Sequence, residues 1–190
     1  NRFMRMSDVS GAFTLLALVP WLWNYMFFLW YDVDTPLSQQ RRANVLYCHL
    51  FADFGTRGCP LEWCEFFTTV LELARMDSVL TSDLILYVDD LSHIADECEP
   101  LDDEGEALEN YLEQEIGVPM ERGKSRPGAN IQLSLGLWWN TINFTLWLAE
   151  EKVKMYSAFI SELSQKRTVT RRELQQCAGR EQRIVLTQAP

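Results

Sequence analysis

Short apolar runs separated by polar or proline-containing segments predict β-strands in the first third of the chain. Strands are expected at residues 4–9, 25–31 and 44–51. The apolar run 15–19 ends at Pro20, and the polar stretch 32–44 is typical of a hairpin loop. A stripe formed by Leu61, Cys64, Phe67, Leu71 and Ala74 predicts a helix over 61–76.

A second pair of apolar runs, 84–88 and 91–95, flanks the acidic pair Asp89-Asp90. Two short strands around a two-residue turn form a β-hairpin. Such turns favour glycine, which this one lacks, so the acidic pair requires another explanation than turn formation.

The second half of the chain is predicted to alternate between helix and strand. Residues 96–115 are rich in Asp and Glu with interspersed apolar positions, which predicts a solvated amphipathic helix. Two strands are expected at 131–137 and 142–148, and helices from Glu150 onward. Thr170 followed by Glu173 has the spacing of a capping box at the start of a last helix. The element order predicts an α+β fold with an antiparallel sheet, helices on one face, and a short helical segment after it.

Composition indicates a folded chain with an uneven charge distribution. Of the 190 residues, 47% are hydrophobic and 23% charged, which argues against disorder. The net charge of −10 argues against a protein that simply coats nucleic-acid phosphates. Residues 152–190 nevertheless carry eight Lys and Arg against three Glu, so a basic tail follows an acidic body.

The uncharged segment 12–31 is 20 residues long, enough to span a bilayer. It contains Thr14, Pro20 and Asn24 and lacks a basic flank, so we expect a buried strand, a turn and a second apolar element. A membrane-associated interaction protein that uses this segment stays open as an alternative.

Cysteine and histidine give no sign of a disulfide framework or a zinc site. The number of cysteines, five, is odd and no pair has CxxC spacing, which favours a reducing, intracellular compartment. His49 and His93 lack metal-ligand spacing, and we expect both to be structural. Because the chain begins with Asn1 instead of Met, we expect it to be a piece of a longer protein.

The acidic pair Asp89-Asp90 is the feature most suggestive of chemistry. Neighbouring carboxylates repel each other and raise each other's pKa unless a cation lies between them. Carboxylate and water ligands suit Mg²⁺ or Mn²⁺. Asp8, at the end of the first predicted strand, is the candidate for a third ligand.

The chain resembles a reverse transcriptase of the retrotransposon type over most of its length. Five sequence blocks in the family's order carry this resemblance: Asp8 with Ala12-Phe13; Phe54-Gly55-Thr56-Arg57-Gly58-Cys59-Pro60; Tyr87-Val88-Asp89-Asp90; Gly117-Val118-Pro119 with Lys124; and Leu135-Gly136. The third block is specific by itself, and the others gain weight from their order. The basic tail with Thr170, Arg172, Glu173 and Leu174 is similar to the start of a thumb.

The resemblance implies an RNA-directed DNA polymerase with a ferredoxin-like palm over 1–149, including a primer-grip hairpin, and the start of a helical thumb over 150–190, without fingers. Its partners would be an RNA template, a DNA primer and dNTPs, with no membrane and an unknown oligomeric state. It assigns roles to ten residues: Asp8, Asp89 and Asp90 as catalytic ligands of two Mg²⁺ or Mn²⁺ ions; Lys124 as proton donor or phosphate contact; Phe13, Phe54, Gly55 and Tyr87 as nucleotide-binding; Leu135 and Gly136 as primer grip.

Phe13 would act as a steric gate that leaves no room for a 2′-hydroxyl. Several departures from the family pattern keep alternatives open. Ala52-Asp53 replaces a common Leu-Pro, and Gly11 stands where many relatives carry a second Asp. A catalytically incompetent retroelement remnant is one alternative. An RNA-directed RNA polymerase palm is another, although those usually carry Gly before the acidic pair, where this chain has Val88.

Overall fold

The computed structural model describes residues 2–30, 45–53, 56 and 58–188. Within these residues the chain forms nine strands in three antiparallel sheets. The strands are β1 Phe3–Asp8, β2 Phe27–Trp30, β3 Val45–Cys48, β4 Asp83–Tyr87, β5 Asp90–Ala95, β6 Arg126–Ala129, β7 Ile131–Ser134, β8 Leu137–Asn140 and β9 Thr145–Leu148. The α-helices are α1 Cys59–Met76, α2 Cys98–Tyr111, α3 Glu150–Gln165 and α4 Arg171–Gln188. The predicted α+β class is confirmed.

The main sheet has the strand order β4-β5-β1-β6, and β1 is therefore an inner strand. It pairs antiparallel with β5 so that Phe3 faces Ala95 at one end and Asp8 faces Asp90 at the other. Side chains alternate between the two faces of a strand, and residues opposite each other in the register share a face. The register of β1 and β5 thus determines which side chains meet on each face of the sheet.

One face of β1 presents polar side chains to α2. Arg5 and Ser7 both donate hydrogen bonds to Glu109 of α2, at 2.9 and 2.7 Å, and all three are buried. His93 is the register partner of Arg5 and is fully buried on this face. Helix α2 is therefore fixed to the sheet by a buried polar network beside its apolar contacts.

The helices α1 and α2 share one apolar core on this same face. Leu91, the register partner of Ser7, is fully buried there with Trp63 and Phe67 of α1 and Leu108 of α2. The rings of Trp63 and Phe67 stack with centroids 5.0 Å apart. Burial of these aromatic side chains away from water is a main contribution to the stability of the fold.

The opposite face of β1 carries Met4, Met6 and Asp8 and contacts strand β7 of the sheet β7-β8-β9. Gln132 of β7 anchors this sheet by donating a hydrogen bond to the Met4 carbonyl at 3.1 Å. Helix α4 packs against β9. The carboxylate of Asp8 therefore lies between two sheets and away from the helical core.

The apolar segment that raised the membrane alternative is mostly short 3₁₀ helix. Ala12–Leu15 and Pro20–Tyr25 are 3₁₀ helices, and the predicted strand at 25–31 begins only at Phe27. Within the described ranges, no helix combines the length and the apolar character that crossing a bilayer requires. The loop expected at 32–44 lies outside the described residues.

Two predicted turns were misplaced. The register pairs Tyr87 with Asp90, so the turn of the β4-β5 hairpin is Val88-Asp89 and Asp90 is the first residue of β5. Leu135-Gly136, expected on a strand, is the turn between β7 and β8, with φ angles of 53° and 77°. Strand β6 was not predicted, and the two strands expected at 131–137 and 142–148 are three shorter strands, β7, β8 and β9.

The helices were predicted more accurately, and α1 and α2 lie close to the expected ranges. The capping box at α4 is confirmed, since the Glu173 carboxylate accepts from the Thr170 N–H at 2.7 Å and the Glu173 N–H donates to Thr170 Oγ1 at 3.2 Å. The buried stripe of α1 differs from the predicted one, because Leu61 is exposed and Trp63 is fully buried.

Candidate functional site

Asp8 and Asp90 lie opposite each other at the ends of two adjacent strands. They are register partners of β1 and β5, so their side chains project from the same face of the sheet. Asp8 is buried, with 7% of its surface exposed. The register thus places the end of β1 beside the acidic hairpin, with Asp90 as the residue opposite Asp8.

Lys124 makes an ion pair with Asp8, at 2.5 Å between Nζ and Oδ2. The segment that carries Lys124 is attached to the end of β1, because the Glu121 N–H donates to the Asp8 carbonyl at 2.8 Å. The Lys124 side chain is largely exposed. The hydrogen bond to Asp8, followed by the charge of the same carboxylate, raises the pKa of Lys124, so its ammonium persists at neutral pH.

Asp89 sits in the tight turn between β4 and β5. The backbone of Val88, the first turn residue, has a φ of 59°. Two hydrogen bonds hold this turn: Trp63 Nε1 donates to the Val88 carbonyl at 2.8 Å, and the Val9 N–H donates to the Asp89 carbonyl at 3.1 Å. The turn is thereby attached both to helix α1 and to the residue that follows Asp8.

Negative charge is concentrated at this end of the sheet. Burial, followed by the carboxylates of Asp89 and Asp8, raises the pKa of Asp90, and Lys124 opposes this shift. Three carboxylates therefore act on each other here, against the Lys124 ammonium and the Arg126 guanidinium that lines the same cavity. Oxygen donors with excess negative charge fit a hard divalent cation.

The side-chain positions in this structure do not form a complete set of metal ligands. Across the described ranges, no group of three or more His, Cys, Asp or Glu side chains is arranged to hold a metal ion. Asp8 and Asp90 face each other, while Asp89 is carried by the turn. The carboxylate donors suit Mg²⁺ or Mn²⁺ in chemistry, and holding an ion requires them to converge further.

An open cavity of about 260 Å³ begins at Asp8 and Asp90 and extends towards the β7-β8 turn. Lys124 supplies a cation to this cavity, and Leu135 of the turn supplies a hydrophobic side chain. Its lining consists of Met6, Ser7, Asp8, Asp90, Gly123, Lys124, Arg126, Leu133, Ser134 and Leu135. Four predicted site residues, Asp8, Asp90, Lys124 and Leu135, thus share one cavity.

The predicted nucleotide-binding residues are more dispersed. Phe13 is 8% exposed and belongs to the apolar core with Ala12 and Trp63. Tyr87 is exposed at the end of β4. Phe54 and Gly55 lie outside the described residues. Gly136 adjoins Leu135 in the turn, where Lys152 of α3 reaches to within 3.4 Å of the Leu135 carbonyl.

Three contributors to this region were not predicted from the sequence. Trp63 was missed because the predicted stripe used Cys64 in that turn of the helix, although 63, 67, 71 and 74 also have the spacing of a buried face. Arg126 and Ser134 line the cavity from β6 and β7. No local signal marks these two, because their position depends on how β7 folds over β1.

Part of the basic charge of the C-terminal region is paired with glutamates of its two helices. Lys154 forms an ion pair with Glu150 at 2.7 Å, and Lys166 forms ion pairs with Glu162 and Glu173 at 2.7 and 2.8 Å. These pairs reduce the positive charge that this region can offer to phosphates.

Comparison with known proteins supports the fold alone. No protein-family model and no curated protein matches the sequence. The chain is similar to foamy viral protease-reverse transcriptase in complex with an RNA/DNA hybrid, with 16% identity and a TM-score of 0.62 over 94% of this chain and 20% of that one. The corresponding dRH structure with double-stranded DNA gives 16% identity, a TM-score of 0.62, and coverage of 94% and 26%.

A third structure of foamy viral protease-reverse transcriptase, in complex with double-stranded DNA, gives 16% identity and a TM-score of 0.59. The match covers 95% of this chain and 32% of the chain in that structure. The chain thus spans between about a fifth and a third of the length of these proteins. Over that segment it has a reverse-transcriptase-like fold.

Proposed function

We propose that this chain is the palm and the start of the thumb of an RNA-directed DNA polymerase of a retroelement. The observation that carries the proposal is the register of Asp8 opposite Asp90, next to the turn that bears Asp89. The fold likeness to reverse transcriptases bound to RNA/DNA hybrid or DNA supports it. The substrates would be dNTPs and a DNA primer paired with an RNA template.

Asp8, Asp89 and Asp90 would hold two Mg²⁺ or Mn²⁺ ions. When bound, such ions lower the pKa of the primer 3′-hydroxyl and neutralise charge on the triphosphate. In the reaction the hydroxyl loses its proton, the 3′-oxygen bonds to the α-phosphorus, and the bond to pyrophosphate breaks. The contribution of the protein is positioning and electrostatic stabilisation.

Lys124 has a role that follows from its contact with Asp8. Its ammonium neutralises the Asp8 carboxylate in this structure and is exposed enough to move. A protonated lysine at the mouth of the cavity can contact a phosphate or donate a proton to the departing pyrophosphate.

The remaining roles stay predictions. Phe13 would restrict the sugar, and Phe54, Gly55 and Tyr87 would contact the nucleotide. The Leu135-Gly136 turn would contact the primer, since Leu135 lines the same cavity as Asp8. The unpaired basic groups of the C-terminal helices would meet template and primer phosphates.

The test is primer extension on an RNA template with dNTPs and Mg²⁺, together with Mn²⁺ titration calorimetry. Asp89→Asn is expected to abolish incorporation and to weaken Mn²⁺ binding. The matched control is Asp83→Asn at the other end of the same hairpin, an exposed aspartate paired with Arg2, which is expected to retain both. Full activity of Asp89→Asn would contradict the assignment.

A catalytically incompetent retroelement remnant is the second candidate. The observation that favours it is that no three acidic side chains of the described ranges are arranged as metal ligands. Absence of Mn²⁺ binding in the unsubstituted chain, together with absence of primer extension in a longer protein that contains this chain and fingers, would select it.

A further inference from the structure

The Val88-Asp89 turn has a backbone conformation that its sequence disfavours. Of the two turn residues only Val88 has a positive φ, at 59°, which is the sign pattern of a type II′ hairpin turn. That position normally takes glycine, because a Cβ clashes in the left-handed region. A β-branched residue is a genuine outlier there, and a conformation of this kind persists only when its surroundings enforce it.

The structure shows which group can enforce this conformation. Trp63 is fully buried in α1, and its indole N–H donates to the carbonyl of Val88 at 2.8 Å. Its ring is stacked on Phe67, so the donor has little freedom to turn away. A buried hydrogen bond to a rigid donor fixes the peptide plane that links Val88 to Asp89.

A second hydrogen bond transmits this constraint to the candidate site. The carbonyl of Asp89 accepts from the N–H of Val9 at 3.1 Å, and Val9 directly follows Asp8. The turn is therefore held between helix α1 and the end of β1. Any rotation of the Val88-Asp89 peptide changes where Asp89 lies relative to Asp8 and Asp90.

We propose that Trp63 is a positioning residue that holds Val88 in its left-handed conformation and so places Asp89 beside Asp8. The use of this placement, to bring Asp89 to a metal ion with Asp8, rests on the proposed function. The conformational part can be tested without any metal or nucleic acid.

The first measurement is amide hydrogen exchange of the metal-free chain with Trp63→Phe, which keeps an aromatic ring and removes the N–H. The Val9 amide is expected to exchange about 3- to 10-fold faster, the range that loss of one hydrogen bond supports. The Ser10 amide is an internal reference, because it donates to Pro119 instead of the turn, at 2.9 Å. Its exchange is expected to stay unchanged.

A matched variant controls for the loss of an indole donor in general. Trp23→Phe removes the hydrogen bond from Trp23 Nε1 to the Leu18 carbonyl, at 2.9 Å, far from the turn in sequence. It is expected to leave the Val9 amide unchanged. Equal acceleration of Val9 and Ser10 in Trp63→Phe would indicate general loosening of the core and would overturn the proposal.

The second measurement is rescue by Val88→Gly. Glycine adopts a positive φ without steric cost, so the turn no longer needs an enforcing donor. In the Val88→Gly background, Trp63→Phe is expected to change the exchange rate of the Val9 amide by less than about twofold. The reason is that a glycine turn no longer depends on the hydrogen bond from the Trp63 indole. An equal effect of Trp63→Phe in both backgrounds would refute the role through Val88.

Mn²⁺ titration of the same variants separates this inference from the proposed function. Trp63→Phe is expected to weaken Mn²⁺ binding by about tenfold, as substitution of groups that orient metal ligands does. If the unsubstituted chain binds no Mn²⁺, the proposed function fails, and the exchange data still decide whether Trp63 holds the turn. Unchanged Val9 exchange in Trp63→Phe overturns the inference whether or not the ion binds.

Discussion

Gly105 lies where α2 crosses β1, and replacing it with alanine tests this packing directly. A Cβ at this position would lie 1.9 Å from Nε and 2.3 Å from Cδ of Arg5. Arg5 is 5% exposed, and its guanidinium donates to Glu109 at 2.9 Å and to Asp102 at 3.3 Å. The arginine therefore cannot move aside without losing partners for a buried charge.

The size of the effect follows from the two ways in which the overlap can be relieved. If Arg5 leaves, the buried Glu109 loses its nearest cation and keeps Arg122 at 3.8 Å, and breaking a buried ion pair costs about 3–5 kcal/mol. If α2 moves instead, it must retreat by roughly 1.5 Å to restore ordinary non-bonded distances, and core contacts are lost. Alanine returns about 1 kcal/mol through its higher helix propensity. We expect a net loss of about 2–4 kcal/mol in the free energy of unfolding.

Urea unfolding followed by circular dichroism measures this loss. The matched control is Gly179→Ala in α4, where an added Cβ meets no atom within 4 Å. This control is expected to raise stability by up to about 1 kcal/mol. If Gly105→Ala unfolds at the same urea concentration as the unsubstituted chain or a higher one, Arg5 is not held under α2 as described.

Two further predictions concern pH dependence and helix capping. Burial, followed by the charge of Arg5, lowers the pKa of His93 to about 4, so the folded chain binds fewer protons than the unfolded chain between that pH and the ordinary histidine value. The buried neutral His93 therefore contributes roughly 3 kcal/mol to the free energy of unfolding, which is fully present above about pH 6.5 and is lost as the pH falls towards 4. The urea midpoint of His93→Gln should depend less steeply on pH. Thr170→Ala removes the capping box of α4 and should lower thermal stability by about 0.5–1 kcal/mol, whereas Thr168→Ala, outside the box, should not.

Local signals in the sequence predicted the features that depend on neighbouring residues. The range of α1 follows from its periodicity, and the capping box follows from Thr170 and Glu173 three positions apart. Asp8 was a candidate ligand beside the acidic hairpin, and the register places Asp90 opposite it, because strand ends bring together residues that are distant in sequence.

The hairpin register could not be fixed from the pattern. Residues 84–88 are almost continuously apolar, so no alternation of polar and apolar positions distinguishes one register from the next. Glycine would have marked the turn, and Val88 occupies that position instead. The same reason explains Leu135, an apolar residue with a φ of 53° that was expected to continue a strand.

The ion pair between Lys124 and Asp8 was equally inaccessible, since it joins residues 116 positions apart. The resemblance predicted a role for Lys124, and the structure adds that its ammonium lies against Asp8. Sequence order alone does not show which carboxylate a distant lysine will reach.

Two acidic groups on opposite faces of the main sheet show which face is available to a ligand. Glu109, on the helical face, is buried and accepts hydrogen bonds from Arg5, Ser7 and Ser125 at 2.7 to 2.9 Å, so its charge is compensated within the fold. Asp90, on the other face, has a pKa raised by burial and by neighbouring carboxylates. The charge on this open face is therefore the charge that the proposed divalent cation would compensate.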